Sequence, residues 1–503
     1  MRGAQAAARA EEREVKRRRL AMVIAGMLVV AALVELFAAS QALPYNDLTA
    51  PEAFYAHRFT IDQLLALNEG QTPPGRFLSI SQLYFDPGDR ATLEARYAAM
   101  ALSEEAVRAA FVAIKMKETL AANLSLIWHI PTIDGFDGGL LPTGYYTAFT
   151  SLMLPDGELR TIDGRLREIL AREFCRGACL PDRRWLNLTN TRYLITDKIY
   201  DLWHEDIAYD TQFEMLLAGG DSLSEEHLPA FEANAAYVLY HCVELECAPP
   251  QVSWRGEDGR SVTLDGETET IEIEGGIPYT LATLRAPQIA RLQSLEIESE
   301  TPVTITAVTL VDERTGDFAQ LALNRWVRVL SSDIKLYENP QVIPRAFIVH
   351  DWWTVADHEW GTEDGLNLMR DAAFDPARTA ILSEGYPGSV TPVHGEAAYT
   401  GRSSATIRTY SPERIAIDVN ASGEGYLVLT DAYYPGWMAA LNDEPAPLLR
   451  ADVMFRAVRM PAGESSVILE YHPVWLPGAL VAGGAAWLLV TGLSVIVIIR
   501  KEI

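Results

Sequence analysis

Gly425 to Trp475 reads GYLVLTDAYYPGWMAALNDEPAPLLRADVMFRAVRMPAGESSVILEYHPVW and passes, with scarcely a linker, into an uncharged apolar run. Short alternating segments broken by Pro, Gly and Asn-Asp turns predict strands, so a β-rich module sits directly on a membrane anchor. A second apolar run, Leu20 to Ala39, follows the basic cluster Lys16, Arg17, Arg18 and Arg19, and the C-terminal run, Val474 to Ile499, ends at Arg500 and Lys501. Crossing a hydrocarbon core takes about 20 apolar residues at a rise of ~1.5 Å each, and both runs reach that length. Basic flanks stay on the cytoplasmic side. Both termini are therefore expected in the cytoplasm, at a bacterial plasma membrane, with everything from about Ser40 to Pro473 outside. The first run also fits a signal peptide, with Ser40, Gln41 and Ala42 as a small-x-small cleavage site. Against that stands Glu35, unusual in a signal peptide but tolerable at a helix's outer interface, where it either snorkels to water or faces a polar path between helices.

The outer portion is long enough for about two to four domains. With the two ends and Glu35 set aside it carries 63 acidic and 33 basic side chains, a surface that repels phosphates and excludes nucleic acid as a partner. Four cysteines lie there, Cys175 with Cys179 and Cys242 with Cys247. In an oxidising compartment the close spacings suggest two local disulfides, given Cα atoms within ~7 Å. Free thiols and a four-thiolate zinc site are the alternatives, the latter without the two-residue spacing of zinc knuckles.

Past an extended connection from Leu43 to Phe59, Asp89 and Ser103 are N-cap candidates for two helices. The second is expected to bury Val107, Phe111, Ile114 and Met116. A dense turn, Ile133 to Tyr146, a helix over Arg165 to Phe174 and a short strand at Arg192 to Thr196 complete a mixed α/β domain over residues 44–228. From Ala236 the period changes to two, in VTLD at Val262, TIEIEG at Thr270, SLEIES at Ser294 and VTITAVTLVD at Val303, which predicts a jelly-roll-like β-sandwich over 236–330. Residues 331–400 read as a connecting region with the tryptophans of HDWW and DHEW, and ATIRTY, RIAIDVN, GYLVLT, FRAVRM and SVILEY give a second, membrane-proximal sandwich over 401–473. The expected architecture is an α+β ectodomain with two tandem β-sandwich domains between a basic segment and membrane helix (1–19 and 20–39) and a closing membrane helix (474–499).

Leu429, Asp431, Tyr433, Tyr434, Pro435, Gly436 and Trp437, then Asn442 and Asp443, then Pro461, Ala462 and Gly463, then Glu470 and Tyr471, resemble the closing extracytoplasmic segment of the YfhO-type family of bacterial membrane proteins. YENPQVIPRAFIV from Tyr337 is a second match; RYLITD at Arg192 and the DGFDGG run at Asp134 are weaker ones. Family members are similar to GT-C lipid-linked sugar glycosyltransferases, with a many-helix core whose first outer loop carries a catalytic acidic residue. With two predicted spans and no counterpart of that loop, the resemblance implies an accessory ectodomain, divided from its core by gene fission or truncation. A polytopic glycosyltransferase subunit and a glycan or lipid-linked sugar are then the expected partners; the alternative is a stand-alone carbohydrate-binding or envelope-interaction module.

No HExxH, Gly-x-Ser-x-Gly or Walker-type loop occurs, so metalloprotease, serine hydrolase and P-loop chemistry are disfavoured. A glycosidase carboxylate pair is not excluded, but none is identifiable. No catalytic residue, metal or cofactor is assigned. The binding candidates are Asp431, Tyr433, Tyr434 and Trp437, whose rings suit the apolar face of a sugar, and Asp134 with Asp137, which either bind a divalent cation or simply form a turn. The rings equally suit the end of a sandwich core. His204, Glu205, Asp206 and Asp210 read as a solvated face, Trp352, Trp353 and Trp360 as a second aromatic patch. Gly478, Ala482 and Ala486 form a small-residue helix face for packing against the first span or a partner's helices.

Overall fold

The computed structural model describes residues 2–41, 49–50, 55–121, 123–135, 142–155, 166–171, 180–199, 201–244, 247–273, 277–357, 359–385, 391–394, 402–473 and 475–502. They fall into two compact units, Met1–Ala56 with Asp89–Lys115, and His57–Gly88 with Met116–Ile503.

The smaller unit opens with a 40-residue helix, Arg2–Gln41, whose stretch Arg19–Gln41 is long and apolar enough to cross a membrane. Helix Arg90–Ala99 lacks the side-chain cap expected from Asp89. Helix Glu104–Glu118 has the expected one, the Ser103 hydroxyl accepting from Ala106 N–H at 3.2 Å. Tyr97, Ala110 and Ile114 are buried together, with Val107 and Phe111 packed against them. Met116, expected in the same row, is exposed. It lies two positions beyond Ile114, which on a helix is a different face.

The larger unit is mostly β-sheet. A four-stranded sheet runs Arg76–Ser79, Thr191–Asp197, Ile334–Glu338, Val327–Ser331, its first pair parallel. A nine-stranded sheet is organised on Glu232–Cys242, Ile277–Glu298 and Val303–Asp312. The last of these strands coincides with the alternating run read from the sequence. Two further sheets share a hydrophobic cluster. In the seven-stranded one, Ala346–Val349, Gly425–Leu429 and Phe455–Met460 are neighbours; in the five-stranded one, Arg414–Ala421 lies beside Gly463–Tyr471 and then Trp437–Leu441. Leu427, Leu429, Val458 and Met460 of the first meet Ile415, Ile417, Val419, Val467 and Leu469 of the second in one cluster. Each such side chain contributes about 1.5–3 kcal/mol by leaving water, and on Arg414–Ala421 every second residue is buried, as the period of two requires.

Residues 331–400, read as a connection, contribute strands of their own. Asp351–Ala356 and Thr379–Gly385 pair in parallel around helix Glu359–Arg370 and extend the seven-stranded sheet. Trp352 packs edge-on against Tyr426, and Trp353 lies against Phe374. The expected aromatic patch is therefore largely core; the Trp360 side chain lies outside the described residues.

The acidic group read as a solvated face divides. Glu205 and Asp206, both at positive φ, form the tight turn between Leu202–His204 and Ile207–Tyr209, while Asp210 is buried. Its carboxylate accepts from Lys335 Nζ at 2.8 Å and from the Tyr337 hydroxyl at 2.5 Å, and Lys335 also donates to Asp201 at 2.7 Å. Cys242 and Cys247 are bonded, Cα atoms 5.5 Å apart. Cys175 and Cys179 lie outside the described residues. The terminal helix, Trp475–Glu502, contains an apolar stretch, Trp475–Gly492, also long enough to cross a membrane.

Candidate functional site

The aromatic stretch forms a corner at the foot of the terminal helix. After Gly425–Leu429 ends, Tyr433 N–H donates to Met454 O at 2.6 Å and the chain turns through Pro435 and Gly436 into Trp437–Leu441. Gly436 has φ +106°, and a Cβ there would lie 2.9 Å from the Tyr471 ring and 3.4 Å from Pro473 Cα. Its carbonyl accepts from His472 N–H at 2.7 Å. Only glycine meets both demands. Gly436→Ala is therefore expected to lower stability by about 2 kcal/mol, read as a reduced melting temperature of the detergent-purified protein; an unchanged one would mean the corner yields freely.

Trp437 stands opposite Tyr471 in an antiparallel pair, ring centroids 5.5 Å apart, and Tyr434 lies 6.3 Å from the same tyrosine. The Arg456 guanidinium sits 3.8 Å over the Trp437 ring, a cation–π contact that occupies a face a sugar would need. Tyr433 meets Tyr145 edge-on. Asn442 and Asp443, both at positive φ, make the hairpin turn to Glu444–Ala446, the conformation that the tightest hairpins demand.

Asp431 points inward. Oδ1 accepts from Arg76 Nη2 at 2.7 Å and Arg345 Nη1 at 2.9 Å, and Oδ2 from the Tyr410 hydroxyl at 3.0 Å. Burial alone would raise its pKa, but Arg76, Arg345 and Arg456 outweigh burial and hold it below the ordinary carboxylate value. Burial, with Arg345 nearby, pushes Arg76 down to about 10. Rather than serving the polar edge of a sugar, Asp431 ties three distant segments together. Arg76 also donates to the carbonyls of Thr189 and Thr430, each at 2.8 Å, and Arg345 to that of Pro74 at 3.1 Å. The YENPQVIPR stretch docks on the same node: Asn339 donates to Asn187 at 2.7 Å, Asn190 to Ile343 O at 2.9 Å, and Arg192 pairs with Glu338. Arg76, Arg345 and Tyr410 were not singled out from the sequence; Arg345 lay inside the YENPQVIPRAFIV match and Tyr410 at the end of the ATIRTY strand, neither with a role.

Beside this node opens a cleft of about 230 Å³ whose lining includes Gln71, Thr72, Asn190, Arg192, Arg345 and Thr406. Its walls alternate hydrogen-bonding groups with the apolar faces of Pro73, Pro344 and Ile407, a make-up suited to small polar ligands. Arg345 Nε is buried there without a hydrogen-bond partner.

Asp134 is committed elsewhere. Its carboxylate accepts from the N–H groups of Leu166 at 2.8 Å and Arg167 at 3.2 Å, capping the short helix Leu166–Leu170; burial pushes its pKa up to about 6 against those bonds. Asp137 lies outside the described residues. Among the described residues no three His, Cys, Asp or Glu side chains converge in a way that could hold a metal ion.

No curated protein matches the chain. Among solved structures it is similar to the arabinofuranosyltransferase AftD from Mycobacteria, at 11% identity over 48% of this chain and 20% of that one, with a TM-score of 0.13. A mutant of the same protein gives 12% identity, 52% and 22% coverage and a TM-score of 0.16. A mutant of Bacillus subtilis oxalate decarboxylase OxdC gives 11% identity, 52% and 71% coverage and a TM-score of 0.08. The chain spans about a fifth of the arabinofuranosyltransferase's length, and scores this low establish no common fold. The family comparison is specific in place: residues 395–481 match the family described as "Bacterial membrane protein YfhO". That interval takes in Asp431, the Pro-Gly-Trp corner, the closing hairpin and the first residues of the terminal helix, and over this closing segment the chain is similar to the YfhO-type membrane proteins.

Proposed function

We propose that this protein is the membrane-anchored, extracytoplasmic part of a YfhO-type cell-envelope glycosylation system, and that it binds or orients a glycan for a polytopic glycosyltransferase partner. The observation that carries the reading is the YfhO match running through the aromatic corner into an apolar helix. The basic flanks Lys16–Arg19 and Arg500–Lys501 support cytoplasmic termini. The glycosyltransferase activity printed for AftD agrees with the reading without carrying it. The finer architecture belongs to the same proposal: the cluster shared by the seven- and five-stranded sheets supports a membrane-proximal sandwich, and the nine-stranded sheet a second one.

The glycan site in this reading is the cleft beside Arg345, since the aromatic corner offers Trp437 with one face already taken. Glycan-array binding by the full-length protein in nanodiscs tests it. Thr406 is exposed on the cleft's rim, so Thr406→Trp should abolish retention while leaving the melting temperature unchanged. Equal retention by the variant, or none by the parent, removes the cleft from the reading. Consistent recovery without a many-span protein from native membranes removes the partner.

A further inference from the structure

We infer that the Pro-Gly-Trp corner is an interfacial anchor, seated in the headgroup layer of the bilayer that the terminal helix crosses. The inference rests on reading Trp475–Gly492 as a membrane span. Gly436 packs against Pro473, two residues ahead of Trp475, so about 7 Å of chain at most separates the corner from the helix's first turn. A polar headgroup layer is about 5–7 Å deep on each side. Whatever depth Trp475 adopts, the corner is held within roughly one headgroup layer of it.

The side chains presented there suit that layer. Tyr434 is 49% exposed, Met438 54% and Trp475 67%, a mixture of apolar bodies and polar edges of the kind enriched where membrane meets water. At the same level Glu470 pairs with Arg414 at 3.1 Å and lies 3.3 Å from His472 Nε2, while Glu413, whose carbonyl accepts from Tyr471 N–H, is exposed. The rim thus carries apolar surface without a lone carboxylate on Glu470 to repel anionic lipid. Strand Gly463–Tyr471 gives the direction. Its Tyr471 end lies at the corner, and Glu464, exposed near its other end, is about 23 Å away along the strand. The aromatic faces turned toward Tyr471 and Arg456 fix the corner's shape and leave the edges of Tyr434 and Met438 outward. On this account the motif sets the angle and depth at which the folded part leaves the membrane.

The test uses the full chain in phosphatidylcholine and phosphatidylglycerol vesicles containing lipids with a nitroxide near the headgroup. A cysteine is introduced at Met438, Tyr434, Glu464 or Val481 and labelled with an environment-sensitive fluorophore, and the signal of the unsubstituted protein labelled in parallel is subtracted. Labels at Met438 and Tyr434 should shift to the blue and lose most of their emission to the lipid quencher, while Glu464 keeps its own. Val481, 75% exposed on the terminal helix, reports the span itself. Quenching at Val481 with Met438 and Tyr434 behaving like Glu464 overturns the anchor alone; no quenching at any site overturns the anchor and the membrane span together.

Discussion

Asp431→Ala is expected to destabilise the protein by roughly 3–5 kcal/mol, the cost of leaving buried cations without their counter-charge. The side chains of Asp431, Arg76 and Arg345 are 8, 13 and 5% exposed, so water cannot replace the lost carboxylate. Arg76 would keep its two carbonyl partners and Arg345 the carbonyl of Pro74, but their charges would face each other with no anion between them. Because the folded pKa of Asp431 lies below its ordinary value, its stabilisation is complete above the unfolded carboxyl value of about 3.9 and is lost as pH falls through the folded one. Parent and variant should therefore converge only in strong acid. Adding Arg345→Leu to Asp431→Ala should cost less than the two changes summed, since the second removes one of the stranded cations. Thermal melts of the detergent-purified proteins measure all of this. A loss under about 1 kcal/mol for Asp431→Ala would place the node in the class of exposed ion pairs.

The node also marks where sequence reading stops. Arg414–Ala421 and Gly463–Tyr471 were legible because burial favours one face of each strand and the chemistry alternates along the chain, and Val303–Asp312, buried on both faces, was legible from its β-branched alternation with threonines. Asp431 was legible as a member of a motif, but its role was not. Arg76 stands 355 positions from it and Arg345 stands 86 away, and nothing in local spacing joins them. Asp210 was misread for the same reason: Lys335, which takes it inside, is 125 positions on. Residues 331–400 were taken as a connection because prolines and tryptophans obscured a strand–helix–strand unit with a parallel pairing, Asp351–Ala356 to Thr379–Gly385, that the sequence does not advertise. The aromatic corner was recognised from composition, whereas its position against Pro473 follows from the Gly436 turn.

Asp452→Asn should act in the opposite sense, stabilising the protein at neutral and alkaline pH. Asp452 is fully buried in the hairpin between Leu449–Ala451 and Phe455–Met460. Its N–H donates to Ile381 O and its Oδ1 accepts from Ile381 N–H, each at 2.8 Å, so one residue continues the pairing between Thr379–Gly385 and its neighbour. Oδ2 has no hydrogen-bond partner. Burial pushes the carboxyl up to about 7, only partly offset by the Ile381 bond. For an acid with a raised folded pKa, stability is greatest below the unfolded value and is lost as pH climbs to the folded one. Between about pH 4 and pH 8 the parent should thus lose roughly 4 kcal/mol relative to the asparagine variant. Asparagine keeps the acceptor for Ile381, matches the volume and tolerates φ +45° at this position, so the two proteins should be close below about pH 4, diverge as pH rises to about 7 and keep a constant difference above it. Melts across that range decide the matter: parallel pH profiles would mean that Asp452 is solvated or paired in a way its buried position does not suggest.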